Sequence, residues 1–361
     1  MLLEEFEYQL PPELIAQRPV VPRDASRMMV LERDSGAWRD QVFQDLPRIL
    51  QPGDLLVFNN TKVFPARLLG RRRGLHSQPL GKRNPAVREF LKGEVELLLT
   101  RQESGDVWEG LVHPGRKVRT GEVLLFGEGE LEAEIIGRGD YGVRRVRLRA
   151  REGALEDLID RLGHVPLPPY IRRADEAQDR KAYQTVYAKV RGAVAAPTAG
   201  FHFTESLLEA LRQRQIETCE ITLHVGLGTF QPVRVQRVED HKMEAERFEI
   251  SEAAAATLNC ALEQGRRIIA VGTTSLRTLE HVGREAGGRL APGRGETSLF
   301  VYPGFKFRVI RGLLTNFHLP KSTLFMLVCA WAGRDLTLRA YQHAVRERYR
   351  FYSYGDCMLV L

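Results

Sequence analysis

The sequence predicts an α/β major domain with an inserted small antiparallel β-barrel. Across residues 68–150, short strand-like runs follow one another with glycine-marked turns and no helical period, the pattern of a small barrel or sandwich. Beyond residue 150, strand-like runs alternate with amphipathic helical runs, the pattern of α/β layering. The length of 361 residues fits two domains better than one. The expected division is a discontinuous α/β domain of residues 1–67 and 151–361, interrupted by a barrel domain of residues 68–150.

Taken in order, residues 27–31 (RMMVL) read as a strand, and residues 54–58 (DLLVF) as a buried strand entered through the Pro52-Gly53 turn. In the insert, runs at 95–100, 107–112, 123–126, 131–136 and 143–148 are punctuated by Gly105, Gly115, Gly121, Gly127, Gly129 and Gly139. Residues 74–93 (GLHSQPLGKRNPAVREFLKG) are polar and broken by proline, and read as a peripheral loop. Leu155, Leu158, Ile159 and Leu162 recur at helical spacing. A strand at 192–196 precedes a helix capped by Thr204 and carrying Leu207, Leu208 and Leu211. A strand at 221–225, an alanine-rich helix from Ser251 to Gly265, a strand at 268–271 and a helix through Leu276 and Leu279 complete the alternation.

Composition narrows the function classes. Apolar residues make up 43% and charged residues 27%, which supports a packed core under a solvated surface. The longest apolar run, 324–332, falls far short of a membrane span. The start, MLLEEFEYQL, has neither a basic region nor a cleavage site, so no signal peptide and a cytoplasmic location are expected. Cys219, Cys260, Cys329 and Cys357 are scattered with no C-x-x-C, so free thiols are expected and no iron–sulfur or zinc-ribbon site. His241 and Glu244 stand at i, i+3 without a third ligand, and no metal site is expected. There is no Walker A loop and no G-x-G-x-x-G after an early strand.

A net charge of +7 suits a polyanionic partner. Arg71, Arg72 and Arg73 are consecutive, and Arg145, Arg147 and Arg149 alternate with Val146 and Leu148. On a strand, the second pattern puts three guanidinium groups on one face. Such a ribbon can follow a phosphate backbone, or it can be the solvated outer face of a small sheet.

Five polar or glycine-rich strings sit where strands should end: FNNTKVFPAR (58–67), AAPTAGFHFT (195–204), LHVGLGTFQPV (223–233), VGTTSLRTLE (271–280) and TNFHLPKST (315–323). Open α/β sheets bind ligands at the carboxyl ends of their strands. Gly-Thr-Thr-Ser at a strand-to-helix junction offers N–H groups and hydroxyls to an anion, or caps its own helix. His202, His224, His241 and His318 fall in or beside these strings, and imidazole titrates near neutrality, so at least one general acid or base is expected.

With PPELIAQRP (11–19), GDLLVFNNTKVFPARL (53–68), GHVPLPPYI (163–171), YQTVYAK (183–189), TNFHLPKSTLFMLV and YRFYSYGDCML (349–359), these strings run nearly the whole chain in one order. Together they resemble the S-adenosylmethionine:tRNA ribosyltransferase-isomerase family of queuosine biosynthesis. The resemblance implies an α/β domain with an inserted β-barrel. It also implies transfer and isomerisation of the ribosyl part of S-adenosylmethionine onto 7-aminomethyl-7-deazaguanine at the tRNA wobble position. Epoxyqueuosine-tRNA forms, and adenine and methionine leave. S-adenosylmethionine is then a consumed co-substrate, so no cofactor, metal or membrane is implied, and the partner is a tRNA anticodon arm.

The chemistry implied needs a base beside the sulfonium carbon, a proton for adenine, an anion site for the amino-acid end, and cations and stacking surfaces for RNA. His202, His224, His241, Glu246, His318 and Asp356 are the proton-transfer candidates. Thr273, Thr274, Ser275 and Arg277 are candidates for a carboxylate or phosphate, although Arg277 is as well placed to face a structural carboxylate. Asn59, Asn60, Lys62 and Arg67 are candidates for ribose or RNA, and Tyr170, Phe201 and Phe230 for stacking. Three departures from the family pattern stand out: Glu244 where a second His is usual, Phe201 for Leu, and the 74–93 loop. A non-catalytic tRNA-binding module is the alternative, but it leaves the His-bearing junctions without a purpose.

Overall fold

The computed structural model describes residues 1–73, 94–115, 118–139, 142–226 and 233–361. The 74–93 loop and Phe230 lie outside the described residues. Before the barrel the chain forms β1 (Arg27–Glu32), β2 (Ala37–Val42), β3 (Leu55–Asn59) and β4 (Thr61–Val63). The barrel strands are β5 (Arg67–Arg72), β6 (Glu94–Ser104), β7 (Val107–His113), β8 (Val123–Phe126), β9 (Leu131–Arg138) and β10 (Val143–Ala150). After them come α1 (Leu155–Leu162), β11 (Val190–Ala193), α2 (Glu205–Gln213), β12 (Glu217–Leu223), β13 (Glu246–Ile250) and α3 (Glu252–Glu263). The chain closes with β14 (Ile268–Val271), α4 (Thr273–Glu285), β15 (Gly293–Thr297), β16 (Gly312–Asn316), α5 (Thr323–Ala332), α6 (Arg334–Arg346) and β17 (Cys357–Val360).

Nine strands form one mixed sheet in the order β15-β13-β12-β3-β14-β16-β17-β1-β2. Its centre is parallel: β3 pairs in parallel with β12 and β14, and β14 with β16. Every residue of β3, β14, β16 and β17 is buried, which is why these strands read as unbroken apolar runs rather than as alternation. The side-chain period of two still sorts them. Leu55, Val57, Ile268, Ala270, Met358 and Val360 join one core with Leu258, Leu276, Phe325 and Tyr341 from α3, α4, α5 and α6. Leu56, Phe58, Ile269, Val271, Cys357 and Leu359 join the opposite core with Leu207 and Leu211 of α2.

The six barrel strands close in the order β10-β7-β6-β5-β8-β9. Alternate residues fill the interior, among them Leu68, Leu97, Trp108, Phe126, Ile135, Val146 and Leu148. Leu158 and Ile159 of α1 pack into the same cluster. Gly163 ends α1, and a Cβ there would lie 2.0 Å from the Pro65 carbonyl oxygen, so the chain can pass this point only without a side chain.

Two expected strands shift. The run expected at 192–196 begins earlier, at Val190, because it pairs with β4. The run expected at 221–225 begins at Glu217, since its polar first half (ETCE) pairs with the buried β3.

Candidate active site

The parallel registers place the carboxyl ends of β3, β12, β14 and β16 along one edge of the sheet. At that edge Gly272 turns β14 into α4 with φ +88, a left-handed backbone that favours glycine. Its N–H donates to the Leu314 carbonyl at 2.8 Å, tying the turn to β16. Gly272 has no capping side chain. The first-turn N–H groups of Thr273, Thr274 and Ser275 therefore lack intrahelical acceptors and sit at the positive end of the helix dipole. A cleft opens above them, lined by Tyr170, Pro197, Thr198, Val225, Thr273, Thr274, Thr315, Asn316, His318, Tyr352 and Ser353. Its described lining offers hydroxyls, an amide, an imidazole and aromatic faces, and no carboxylate or ammonium.

One wall rests on a buried relay. Asn316 Nδ2 donates to the carbonyls of Tyr352 (2.9 Å) and Ser353 (3.2 Å). Its Oδ1 therefore faces His202 Nε2 at 3.1 Å, which places the proton on Nε2. His202 Nδ1 then accepts from the Ser26 hydroxyl at 2.6 Å. Both ring nitrogens are engaged, and burial pulls the His202 pKa down to about 4. The imidazole is a neutral strut behind the cleft. What it holds is a strained segment: Tyr352 has φ +74, costly for a bulky residue.

His318 lines the cleft itself. Its Nε2 and the Thr315 hydroxyl are 2.9 Å apart, its N–H donates to Tyr341 Oη at 3.2 Å, and its carbonyl accepts from Tyr8 Oη. Burial drives its pKa to about 3, so the ring is neutral at ordinary pH. Tyr170 reaches the cleft with its hydroxyl bonded to Ser353 Oγ, and burial raises its pKa well above the usual tyrosine value.

Of the residues expected from sequence, Tyr170, Thr273, Thr274 and His318 thus meet in one cleft. The other described candidates lie elsewhere or serve the scaffold. Ser275 Oγ turns back to donate to the Val271 carbonyl at 2.8 Å. Arg277 is buried, with Nη1 paired to Glu246 and Nε donating to the Leu299 carbonyl at 2.8 Å, so it faces a carboxylate of the protein. Glu246 also accepts from the Gly226 N–H at 3.0 Å, beside Val225 of the cleft wall. Asn59 is fully buried and its amide is saturated: Oδ1 accepts from the N–H groups of Thr61 and Leu223, and Nδ2 donates to the Leu223 carbonyl and Thr274 Oγ1. Asn60 Nδ2 donates to Glu220 (3.2 Å) and its Oδ1 accepts from Thr222 Oγ1 (2.7 Å). Arg67 pairs with Glu96 on the barrel wall, and Lys62 is exposed on β4. Phe201 packs edge-on against Tyr183 at 5.5 Å in a buried aromatic cluster.

The remaining titratable candidates also have partners. His224 Nδ1 lies 2.9 Å from the Thr61 hydroxyl, and burial, with Arg247 nearby, lowers its pKa. His241 packs edge-on against Phe300 at 5.2 Å, and burial lowers its pKa as well. Asp356 accepts from the N–H groups of Arg27 (3.0 Å) and Arg350 (2.8 Å), and burial raises its pKa despite them. It locks the C-terminal turn. Glu244 is exposed.

The arginine clusters are largely neutralised. Arg145, Arg147 and Arg149 do share an outer face of the barrel, but Arg145 pairs with Glu103, Arg147 with Asp106 and Glu134, and Arg149 with Glu134. Arg72 pairs with buried Glu122, and Arg73 with Glu132. The solvated outer face is the better description of the ribbon.

The cleft also contains Thr198, Thr315, Asn316, Tyr352 and Ser353, which sequence reading did not single out. Thr198, Thr315 and Asn316 lie inside strings already marked by polar residues at strand ends, and Tyr352 and Ser353 inside the 349–359 string that carries the resemblance, but spacing gives no means to choose among them. Among the described residues no three His, Cys, Asp or Glu side chains gather as a metal would require, and no helix is long and apolar enough to cross a membrane.

Residues 3–360 match the family described as queuosine biosynthesis protein. Proteins named S-adenosylmethionine:tRNA ribosyltransferase-isomerase from Solibacter usitatus and Moorella thermoacetica are each 53% identical, with the match covering 100% of both chains in each case. A crystal structure titled S-adenosylmethionine tRNA ribosyltransferase from Thermotoga maritima is 36% identical, with a TM-score of 0.54 over 99% of this chain and 100% of that one. With end-to-end matches at this identity, the chain belongs to the queuosine biosynthesis protein family.

Proposed function

We propose that this enzyme transfers the ribosyl moiety of S-adenosylmethionine to 7-aminomethyl-7-deazaguanine in the tRNA anticodon arm. The same catalyst isomerises the moiety to the epoxycyclopentane of epoxyqueuosine, and the cleft at the α4 N-terminus is the site. The relatives' names carry the activity, and the uncapped first turn of α4 within a neutral polar cleft supports the location.

In this reading the methionyl carboxylate sits on the N–H groups of Thr273, Thr274 and Ser275, where orphan donors and the dipole both favour an anion. A cleft without fixed charge suits a substrate that brings its own sulfonium. Tyr170 and Tyr352 offer faces to the adenine, and His318, held neutral, offers a hydrogen bond to the ribosyl end. His202 acts through Asn316, as a positioning residue. In this reading residues 1–67 and 151–361 form the domain that supplies the cleft, and residues 68–150 form the inserted barrel domain, which contributes no residue to the cleft's described lining. Phe230, beside the cleft in sequence, remains a stacking candidate.

The test is mass analysis of the wobble nucleoside after incubation with S-adenosylmethionine and tRNA bearing the aminomethyl base. Conversion to epoxyqueuosine is expected; a methylated nucleoside, or no change, overturns the proposal.

A further inference from the structure

A second concave site, sharing no lining residue with the cleft, is built by the segment between β15 and β16 together with Arg284 of α4. Arg277 holds the Leu299 carbonyl, and the buried Glu280 carboxylate accepts the N–H groups of Arg308, Val309 and Ile310 at 2.8, 3.0 and 3.0 Å. Both ends of the segment are thus fastened to α4. Between them a turn at Gly304 (φ +100) leaves a hollow lined by Phe300, Tyr302, Phe305, Arg284, Lys306 and Arg308. The aromatic rings are half-buried and the three cations exposed. Phe300 and Tyr302 are 5.0 Å apart, and the Arg284 guanidinium lies over Phe305 at 5.0 Å.

These three cations differ from the barrel ribbon. Every arginine of the ribbon has a carboxylate partner. Among the described residues, Arg284, Lys306 and Arg308 have none, although they surround one hollow. Three like charges held together without counter-charge repel each other, and that cost is offset when an anion enters. Aromatic faces beside cations are what an unpaired nucleotide needs: a surface for the base and positive charge for the phosphate.

We infer that this hollow binds an unpaired nucleotide of the tRNA substrate outside the reacting position. The inference rests on the tRNA-modifying function proposed above. A tRNA arm extends well beyond the one base that reacts, and the cleft's described lining has no charge with which to hold it. Both sites are built on α4: its first turn lines the cleft, and Arg284 in its last turn lines the hollow.

The experiment is steady-state adenine release with each substrate varied in turn, at several salt concentrations, in the full chain carrying R284Q/K306Q/R308Q. The KM for tRNA should rise about tenfold or more, and the log–log salt slope should fall by about 0.7 for each phosphate that is no longer neutralised. The KM for S-adenosylmethionine and the rate at saturating tRNA should stay within about twofold. Tyr302→Leu keeps apolar volume and removes a stacking face; it should raise the tRNA KM about fivefold without changing the salt slope. Should the triple variant not fold, the exposed single changes Lys306→Gln and Arg308→Gln test the same point, each with a tRNA KM raised about threefold. An unchanged tRNA KM and salt slope in folded variants overturns the inference. If the wild type itself releases no adenine on addition of tRNA, the proposed function falls and the inference falls with it; if the wild type does and the variants match it, only the hollow is refuted.

Discussion

Ser26, His202 and Asn316 form a hydrogen-bonded line from the protein interior to the cleft wall. The line holds Tyr352 at φ +74. Asn316→Ala removes two donors to carbonyls and the acceptor of His202, and a buried orphaned group costs about 1–3 kcal/mol. The expected outcome is a stability lowered by that amount in chemical denaturation and turnover reduced by about 10- to 100-fold; unchanged turnover would mean Tyr352 is not placed for catalysis. His202 and His318 also set a pH dependence. Their pKa values fall from 6.5 to about 4 and about 3 on folding. Below 6.5 the unfolded chain therefore binds more protons than the native one, and stability drops as pH falls from about 6.5 toward 4. Above 6.5 neither group contributes. Urea midpoints across that range should slope less steeply for His202→Gln than for the wild type, and equal slopes would show that His202 is not buried as a neutral ring.

At the scale of elements, the N-terminus of α4 is braced from the side by the Arg277–Glu246 pair, both partners being buried. Glu246→Ala strands a guanidinium in the interior, which costs about 3–5 kcal/mol. Glu246→Met combined with Arg277→Met should recover much of that loss, measured by chemical denaturation. A double variant as damaged as the sum of its parts would show that the two do not act as a pair. Elements with a strong period were legible in the sequence: α1 was placed by Leu155, Leu158, Ile159 and Leu162, and Ser251 and Thr204 cap α3 and α2 as their positions suggest. β17 and β16 were not, because each runs into a string that stood out for its polar or aromatic residues (TNFHLPKST and YRFYSYGDCML), and α5, apolar along most of its length, read only as an apolar stretch. β13 and β15, with charged residues at alternate positions, look like loop until their partners are known.

For the molecule as a whole, net charge suited a polyanionic substrate, but the arginine ribbon that stood out in the sequence has its charges matched within the barrel. The sequence places three arginines on one barrel face, and so does the fold; what the sequence cannot show is that Glu103, Asp106 and Glu134 come from outside that strand to meet them. The tRNA KM and salt slope should therefore change little in R145Q/R147Q/R149Q, with the slope shifting by less than the equivalent of about one phosphate. A large shift would return RNA binding to the ribbon. The cleft was legible as a set of strings at strand ends and only partly as residues. Thr273, Thr274, His318 and Tyr170 converge, whereas Asn59, Ser275 and Arg277 turn inward to satisfy the scaffold. Direction of a side chain at a strand end depends on neighbours distant in sequence, so motif spacing could name the junctions and not their inward and outward members. The most direct measurement is amide hydrogen exchange of the full chain with and without S-adenosylmethionine, in the absence of tRNA. Protection confined to residues 272–276, 315–318 and 350–354 is the expected result; protection of the barrel strands with none at 272–276 would contradict a substrate seated on the α4 N-terminus.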